Sequence, residues 1–481
     1  MCAAPPISDH LANKLTSEGA VDDDHPHPPL IMPILKHQSP YWTLTVTFVA
    51  WKILLLAIAA GSQVGPLYDT SSSLLTFDPE HGAQTSIRNL VTRLCSWDAI
   101  YFIKNAQRGY LFEQEWAFGS ALPTCISLVI RALTILGLVD ASSNCDGAAT
   151  AHLAALIGVL ITHSCHFLSS LVLYQLGLHI WADSTWALVS ALLHVLSPAG
   201  LFLSAPYQES PFSLLSFIGW LLLVKSCLNG HGPISRDVLT ILAGVSFGLA
   251  TVFRTNGLLN GVPFAFECLR TLYHLVEDLE PSSSVAHIRR LAVLGLSGLF
   301  VAAGSLVPQF FAYRIYCTGR DVAGPQVRPW CLSFVPSIYN FVQKEYWNTG
   351  FLRYWTISNA PLFLLAAPML FIMGKGGKDI FLQAGRIPQS LPSGSNVDSE
   401  RLRLVVRSMA LTQMILVGLA LTNYHVQIIT RLSSGYPAWY WWVAACLRSP
   451  KTRQMGSGFV VFMVVYALIQ AVLFASFLPP A

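Results

Sequence analysis

Arg93-Leu-Cys-Ser-Trp-Asp-Ala-Ile-Tyr-Phe102 sets one acid, Asp98, in an aromatic loop directly after the first long apolar run of the chain, 41–61. A carboxylate at a membrane edge needs a reason to be there, because an ionised group beside hydrocarbon is expensive. Two reasons are open. Asp98 is a functional acid, or it caps the helix that follows, since an aspartate accepts well from the free N–H groups of a first turn. The rest of the chain weighs towards function.

The 481 residues are 53% hydrophobic and 11% charged, with a mean hydropathy of +0.52. That excludes an ordinary soluble enzyme. Crossing roughly 30 Å of hydrocarbon takes about 20 apolar residues in a helix. Runs of this kind fall at 41–61, 151–179, 183–204, 211–228, 291–316, 357–374, 404–424 and 458–478. The fold class expected is therefore an all-α polytopic membrane protein. Residues 1–40, rich in His, Pro and Asp, read as a disordered cytosolic tail ahead of a transmembrane catalytic domain over 41–481. The first apolar run starts too late for a cleavable signal and reads as a retained span. The ten cysteines are scattered singly with no CxxC spacing, which argues against a zinc site or a disulfide scaffold.

Two stretches do not read as simple spans. Residues 120–138 contain Pro123 and Arg131 and fit a helix lying in the interface. Residues 236–272 are too long for one span and too interrupted for two, with Arg254-Thr-Asn-Gly257 in the middle. Irregular backbone at membrane depth is tolerated only where it lines a cavity or is buried in protein, so this segment reads as a hairpin that breaks at 254–257 and returns. The basic loop 375–407 marks the cytosolic side. Parity then sets both termini in the cytosol and loops 62–150, 205–210, 317–356 and 425–457 in the lumen. Arg448, Lys451 and Arg453 fit that scheme badly.

Polar and aromatic clusters gather in the lumenal loops. The first holds Trp97, Asp98, Tyr101 and, further on, Glu113; its aromatics read equally as an interfacial belt. Ala205-Pro-Tyr-Gln-Glu-Ser-Pro211 offers Tyr207 and Glu209, either a polar ligand set or a solvated turn. Arg254 and Asn256 sit at the hairpin break, where a guanidinium suits a phosphate, or snorkels from a helix end. Trp330, Tyr339, Gln343 and Trp347 follow in loop 317–356, and Arg431 and Tyr436 in loop 425–457. No Walker loop, dinucleotide-binding glycine pattern or HExxH is present, so nothing supports NTP hydrolysis or zinc proteolysis. There is no DxD motif outside the tail. A sugar donor, if there is one, is then a lipid phosphate instead of a nucleotide.

Taken together and in order, Ser96-Trp-Asp-Ala-Ile-Tyr-Phe102, Gly109-Tyr-Leu-Phe-Glu113, Ala205-Pro-Tyr-Gln-Glu-Ser210, Arg254-Thr-Asn-Gly257, Pro329-Trp-Cys331 and Gly350-Phe-Leu-Arg-Tyr354 resemble the GPI mannosyltransferase 2 family, in a fungal form. The resemblance runs from about Trp97 to Trp442. It implies a GT-C glycosyltransferase fold in the endoplasmic reticulum membrane, multi-pass, with a lumenal active site. It implies dolichyl phosphate mannose as donor, a GPI glycolipid precursor as acceptor, an α-1,6 linkage and room for a small membrane partner subunit, with no nucleic acid. The chain departs from the family pattern at Gly119-Ser-Ala-Leu-Pro123 and at Gln208.

On this reading Asp98 is the general base, Arg254 and Arg431 meet the donor phosphate, and Trp97, Tyr101, Glu113, Tyr207, Glu209, Asn256, Trp330, Tyr339, Gln343, Trp347 and Tyr436 contact substrates. No cofactor is expected. The scheme requires no metal, and the sequence excludes none. The alternatives are another GT-C transferase of lipid-linked sugar, or a polytopic lipid or solute transporter, whose sites also use broken helices.

Overall fold

The structure, a computed structural model, describes residues 39–62, 86–139, 147–228, 232–277, 281–318, 328–384 and 399–479. The expected tail 1–40 lies almost wholly outside these residues, as does part of the loop expected over 62–150. Every element described is helical, and among the described residues seven helices are long and apolar enough to cross a membrane.

The chain threads between two faces, one basic and one bearing a cavity. α1 (Pro40–Gly61) rises to the cavity face, where α2 (Ser86–Leu94), α3 (Ala99–Arg108), a 3-10 turn over Glu113–Phe118 and α4 (Ala121–Ile135) form a cap. At 15 residues α4 is too short to cross, and it exposes Leu128 and Ile135, as an interfacial helix would. α5 (Gly147–Trp181) returns to the basic face, where Tyr174 meets Tyr41 of α1 with ring centroids 5.5 Å apart.

The next two expected spans, 183–204 and 211–228, are not among the seven. α6 (Ser184–Val195) stops short, a 3-10 turn covers Gly200–Leu203, and α7 (Glu209–Ser226) leads back. The backbone freed by that stop is satisfied from three sides. Lys52 on α1 donates to the Leu203 carbonyl at 2.9 Å and to Ser204 Oγ at 2.7 Å. Thr162 on α5 donates to the Ser204 carbonyl, and the Leu201 N–H donates to Gln470 Oε1. Buried backbone of this kind persists only with such partners.

α8 (Pro233–Phe253) is a full-length crossing, so the first arm of the expected hairpin is longer than a re-entrant segment. It ends at Arg254, where the backbone turns extended (φ −143°). The chain returns through a 3-10 stretch, Thr255–Gly261, and α9 (Val262–Glu277). α10 (Pro281–Tyr313) rises beside α8. There is no room for a Cβ on Gly244 or Gly248 of α8, which would meet Ser297 at 2.7 Å and Phe300 at 2.5 Å; small residues let membrane helices approach this closely. Arg290 of α10 pairs with both Asp237 of α8 and Glu267 of α9, each at 2.9 Å, which levels the starts of α8 and α10 with α9.

On the cavity face α11 (Ile338–Glu345) lies in a long loop; α12 (Ala360–Gln383) descends and α13 (Ser399–Thr422) rises. The last stretch corrects the expected parity. α14 (Ile429–Leu432) and α15 (Ala438–Arg448) lead back to the basic face, where Arg448 pairs with Asp183. α16 (Arg453–Ala475) then rises, and Ser476 donates to the Ser62 carbonyl at the top of α1. Segment 425–457 is therefore not one loop on one side, and residues 39 and 479 lie on opposite faces. Arg448, Lys451 and Arg453 thereby join the face that carries Lys375 and Arg401. α15 escaped notice because its 11 residues include four Trp and Tyr side chains in a row, Trp439–Trp442, unlike an apolar span. A second correction concerns cysteine: Cys317 and Cys331 form a disulfide with Cα atoms 5.7 Å apart, bridging the π-helical turn Arg314–Thr318 that follows α10 to the 3-10 turn Pro329–Leu332.

Candidate active site

The site starts from a strained turn. Trp97 adopts a left-handed backbone, φ +59°, a conformation that a bulky residue holds only when its surroundings impose it. Asp98 then takes the N-cap position of α3, yet its side chain makes no cap hydrogen bond. The capping reading fails. The carboxylate faces Arg431 instead, with Oδ2 3.1 Å from the guanidinium Nη2. The turn is anchored behind by Arg93, which donates to the Ala59 and Ala60 carbonyls. Tyr207 secures it from the side, donating to the Ser96 carbonyl at 3.0 Å.

Arg431 is held on four sides. Besides Asp98 it meets Glu209 Oε1 at 3.4 Å, and its guanidinium lies over the rings of Phe202 and Tyr207, 4.9 and 5.7 Å from the centroids. Arg254 reaches the same Glu209 oxygen from the hairpin break at 2.5 Å. Asp98, Arg431, Glu209 and Arg254 thus form a ladder of alternating charge. Glu209 is wholly buried, so both readings of its loop need revising: it is neither a solvated turn nor a ligand open to substrate. A buried carboxylate must be paired, and here it organises two arginines. Arg254 is likewise no snorkelling residue. Its guanidinium is tied to Glu209 and lines the cavity, and its Nε is buried and unbonded among the described residues.

Asp98, Arg254 and Arg431, with Phe202 and Tyr207, line a cavity of about 480 Å³. Of the residues singled out by sequence, Trp97, Asp98, Tyr207, Arg254, Asn256, Tyr339, Gln343, Trp347 and Arg431 are on its wall. Five are not. Glu209 sits behind the arginines. Tyr436 is buried and accepts from Asn256 Nδ2 at 3.1 Å. Tyr101 accepts from Gln114 and stacks on Phe118 with centroids 4.8 Å apart. Glu113 and Trp330 pair with each other, indole Nε1 to Oε1 at 2.9 Å, and Arg328 adds a contact at 3.4 Å. This buried strut ties the first loop to the disulfide-bearing loop, away from the cavity.

Sequence reasoning missed part of the wall: Phe118, Phe202, Phe253, Thr349, His425 and Gln427. The run Asn423-Tyr-His-Val-Gln427 after α13 was a signal, being polar just beyond an apolar span. Burial holds the His425 imidazole below its ordinary range; Arg431 adds to this, while a hydrogen bond with the Trp347 carbonyl and the Asp98 charge oppose it. His425 is thus a neutral group at neutral pH. Burial also pushes the Tyr339 hydroxyl up, with nearby Tyr424 reinforcing it, so Tyr339 remains a hydrogen-bond donor. The two departures from the family pattern touch each other: Gln208 Nε2 donates to the Phe118 and Gly119 carbonyls. Gly119, at φ +79°, has no space for a Cβ, which would lie 2.5 Å from the Phe253 carbonyl. Among the described residues no group of three or more His, Cys, Asp or Glu could hold a metal.

The candidate site is thus a cavity at one membrane face, with a carboxylate, two guanidiniums and aromatic walls, in a membrane-embedded glycosyltransferase. The model of the family described as mannosyltransferase (PIG-V) matches residues 43–481, and the chain belongs to that family and is a mannosyltransferase. It is similar to the protein named GPI mannosyltransferase 2 of Chaetomium globosum, 50% identical over 465 residues, which cover 92% of this chain and 97% of that one. The protein of the same name from Gibberella zeae is 45% identical over 451 residues, 94% of this chain and 100% of that one. Among solved structures there is a distant likeness, at a TM-score of 0.42 and 13% identity, to the Archaeoglobus fulgidus oligosaccharyltransferase in complex with an inhibitory peptide and a dolichol-phosphate. It covers 88% of this chain, which spans little more than half, 56%, of that one.

Proposed function

We propose that this mannosyltransferase, of GT-C type, moves mannose from dolichyl phosphate mannose to the mannosyl-glucosaminyl-phosphatidylinositol intermediate of GPI assembly, forming an α-1,6 linkage on the lumenal face of the endoplasmic reticulum membrane. The observation that carries this is the ladder Asp98–Arg431–Glu209–Arg254 at the cavity wall. The names of the similar fungal proteins supply the acceptor pathway.

The ladder suits one inverting displacement. The acceptor 6-hydroxyl attacks the anomeric carbon from the face opposite the phosphate, and the carbon–oxygen bond to phosphate breaks with its electron pair. The hydroxyl proton passes to Asp98. Arg431 occupies Oδ2, so the hydroxyl would meet Oδ1. The ion pair with Arg431 fixes the direction of the Asp98 carboxylate, as a positioned base requires. A phosphate ester leaves as a weak base, so no acid partner is needed, in contrast to a glycosidase. Arg254 would meet the leaving phosphate, with Arg431 behind it, preorganised by Glu209. Asn256, Gln343 and the aromatic wall would orient the sugars.

Two observations support the lumenal side. The Cys317–Cys331 disulfide lies on the cavity face, and disulfides persist in oxidising compartments. The basic residues Lys375, Arg401, Arg448 and Lys451 lie on the other face, in keeping with the positive-inside rule. Neither the transporter alternative nor a different GT-C acceptor draws on a specific feature of this cavity. The test uses membranes that contain the full chain, dolichyl phosphate mannose labelled in the sugar, and the mannosyl-glucosaminyl-phosphatidylinositol acceptor. The expected product carries one added mannose, released by an α-1,6-specific mannosidase. Transfer from a nucleotide sugar instead, or a product resistant to that enzyme, would overturn the reading.

A further inference from the structure

Directly after α16 the chain comes back to the reaction centre. Ser476 bonds to the top of α1, Phe477 is buried, and Pro479 lines the cavity. The Phe477 ring stacks on Trp97, with centroids 5.0 Å apart and planes 30° from parallel. Both residues hold left-handed backbones, Trp97 at φ +59° and Phe477 at φ +58°. Neither is a glycine, and each keeps a conformation that its own side chain disfavours. Among the described residues the Trp97 indole N–H has no hydrogen-bond partner. Ring contact, and not a hydrogen bond through the indole nitrogen, is therefore what orients the indole.

The end of α16 serves the same neighbourhood in other ways. Phe474 meets Phe202 and Tyr207 edge-on, at 5.2 and 5.7 Å, and those are the two rings beneath the Arg431 guanidinium. Gln470 holds the Leu201 N–H. One face of the last turn thus backs Arg431, and Phe477, two residues beyond the helix, backs the turn that aims Asp98.

We infer that Phe477 is a positioning residue for mannosyl transfer: its stack on Trp97 holds the left-handed turn that points the Asp98 carboxylate into the cavity. The inference rests on the reading of Asp98 as the reacting base. Trp97 and Asp98 are adjacent, so a rotation at Trp97 swings the carboxylate away from Arg431 and from the acceptor hydroxyl. Small misplacements of a reacting group are expensive, about 100-fold in rate for roughly 1 Å.

The test compares Phe477→Ala, Phe477→Leu, Phe477→Tyr and Asp98→Asn of the full chain in membranes, each normalised to protein present. Phe477→Leu keeps bulk without a flat ring, so it separates stacking from cavity formation. We expect kcat to fall about 10- to 100-fold in Phe477→Ala and Phe477→Leu, with donor and acceptor KM within about threefold of the starting values. Phe477→Tyr should restore the rate. In a Trp97→Ala background, Phe477→Ala should cost nothing more, because residues acting through one contact are not additive. A normal kcat in Phe477→Leu while Asp98→Asn is inactive would overturn this inference alone. Full activity of Asp98→Asn would overturn the base reading and this inference with it.

Discussion

Arg431 stands at the centre of the charge ladder, between Asp98 and Glu209 and above two rings, whereas Arg254 has Glu209 on one side and the cavity on the other. The two arginines should therefore respond differently to removal. Arg431→Ala leaves one acid without its cation and weakens a wholly buried one; breaking a buried pair costs about 3–5 kcal/mol. Reduced protein in the membrane and loss of kcat are both expected. Arg254→Ala keeps Glu209 paired with Arg431, so the protein should accumulate normally and show a raised donor KM. Kinetics with dolichyl phosphate mannose, alongside the amount of protein in the membrane, check both; an unchanged donor KM in Arg254→Ala would remove it from the phosphate. At this scale the sequence was informative wherever a charge stood out against hydrocarbon, which picked Asp98, Arg254 and Arg431. It could not show that Glu209 faces the arginines and not the substrate, because pairing across 45 and 222 positions is a property of packing. His425 and Gln427 were missed because single polar residues beyond a span are common.

Among the elements, the two short loop segments matter more than the long helices. Glu113 and Trp330, 217 positions apart, join the 3-10 turn after α3 to the 3-10 turn that carries Cys331. Trp330→Phe keeps the ring and removes the donor. An unpaired buried acceptor costs about 1–3 kcal/mol, though Arg328 remains beside Glu113. The expected outcome is a lower inactivation temperature with donor and acceptor KM unchanged. A raised acceptor KM at unchanged stability would return Trp330 to substrate contact. The hairpin break at Arg254 was legible because glycine, asparagine and arginine in mid-run oppose a helix. α15 was not, since its aromatic residues suggested a loop; its burial against α12 and α6 supplies the apolar environment that composition alone did not advertise. Nor could scattered cysteines reveal a single bridge, which depends on two loops meeting.

For the whole molecule, the crossings converge on one cavity and leave the opposite face basic. All-helical membrane architecture followed directly from hydropathy, because hydrocarbon demands self-satisfied backbone over about 20 residues. Topology did not, as one short broken crossing changes the parity of everything after it. The misfit of Arg448, Lys451 and Arg453 was the trace of that crossing. The central claim is that Asp98, set at the cavity by a strained turn, is the base of GPI mannosyl transfer. The most direct measurement is complementation of cells lacking their second GPI mannosyltransferase, with wild type and Asp98→Asn in parallel, reading the accumulated lipid intermediate. The account predicts that wild type clears the singly mannosylated intermediate, while Asp98→Asn, present in the membrane at equal amount, leaves it accumulated with transfer reduced by about two to four orders of magnitude. Equal clearance by both would contradict it.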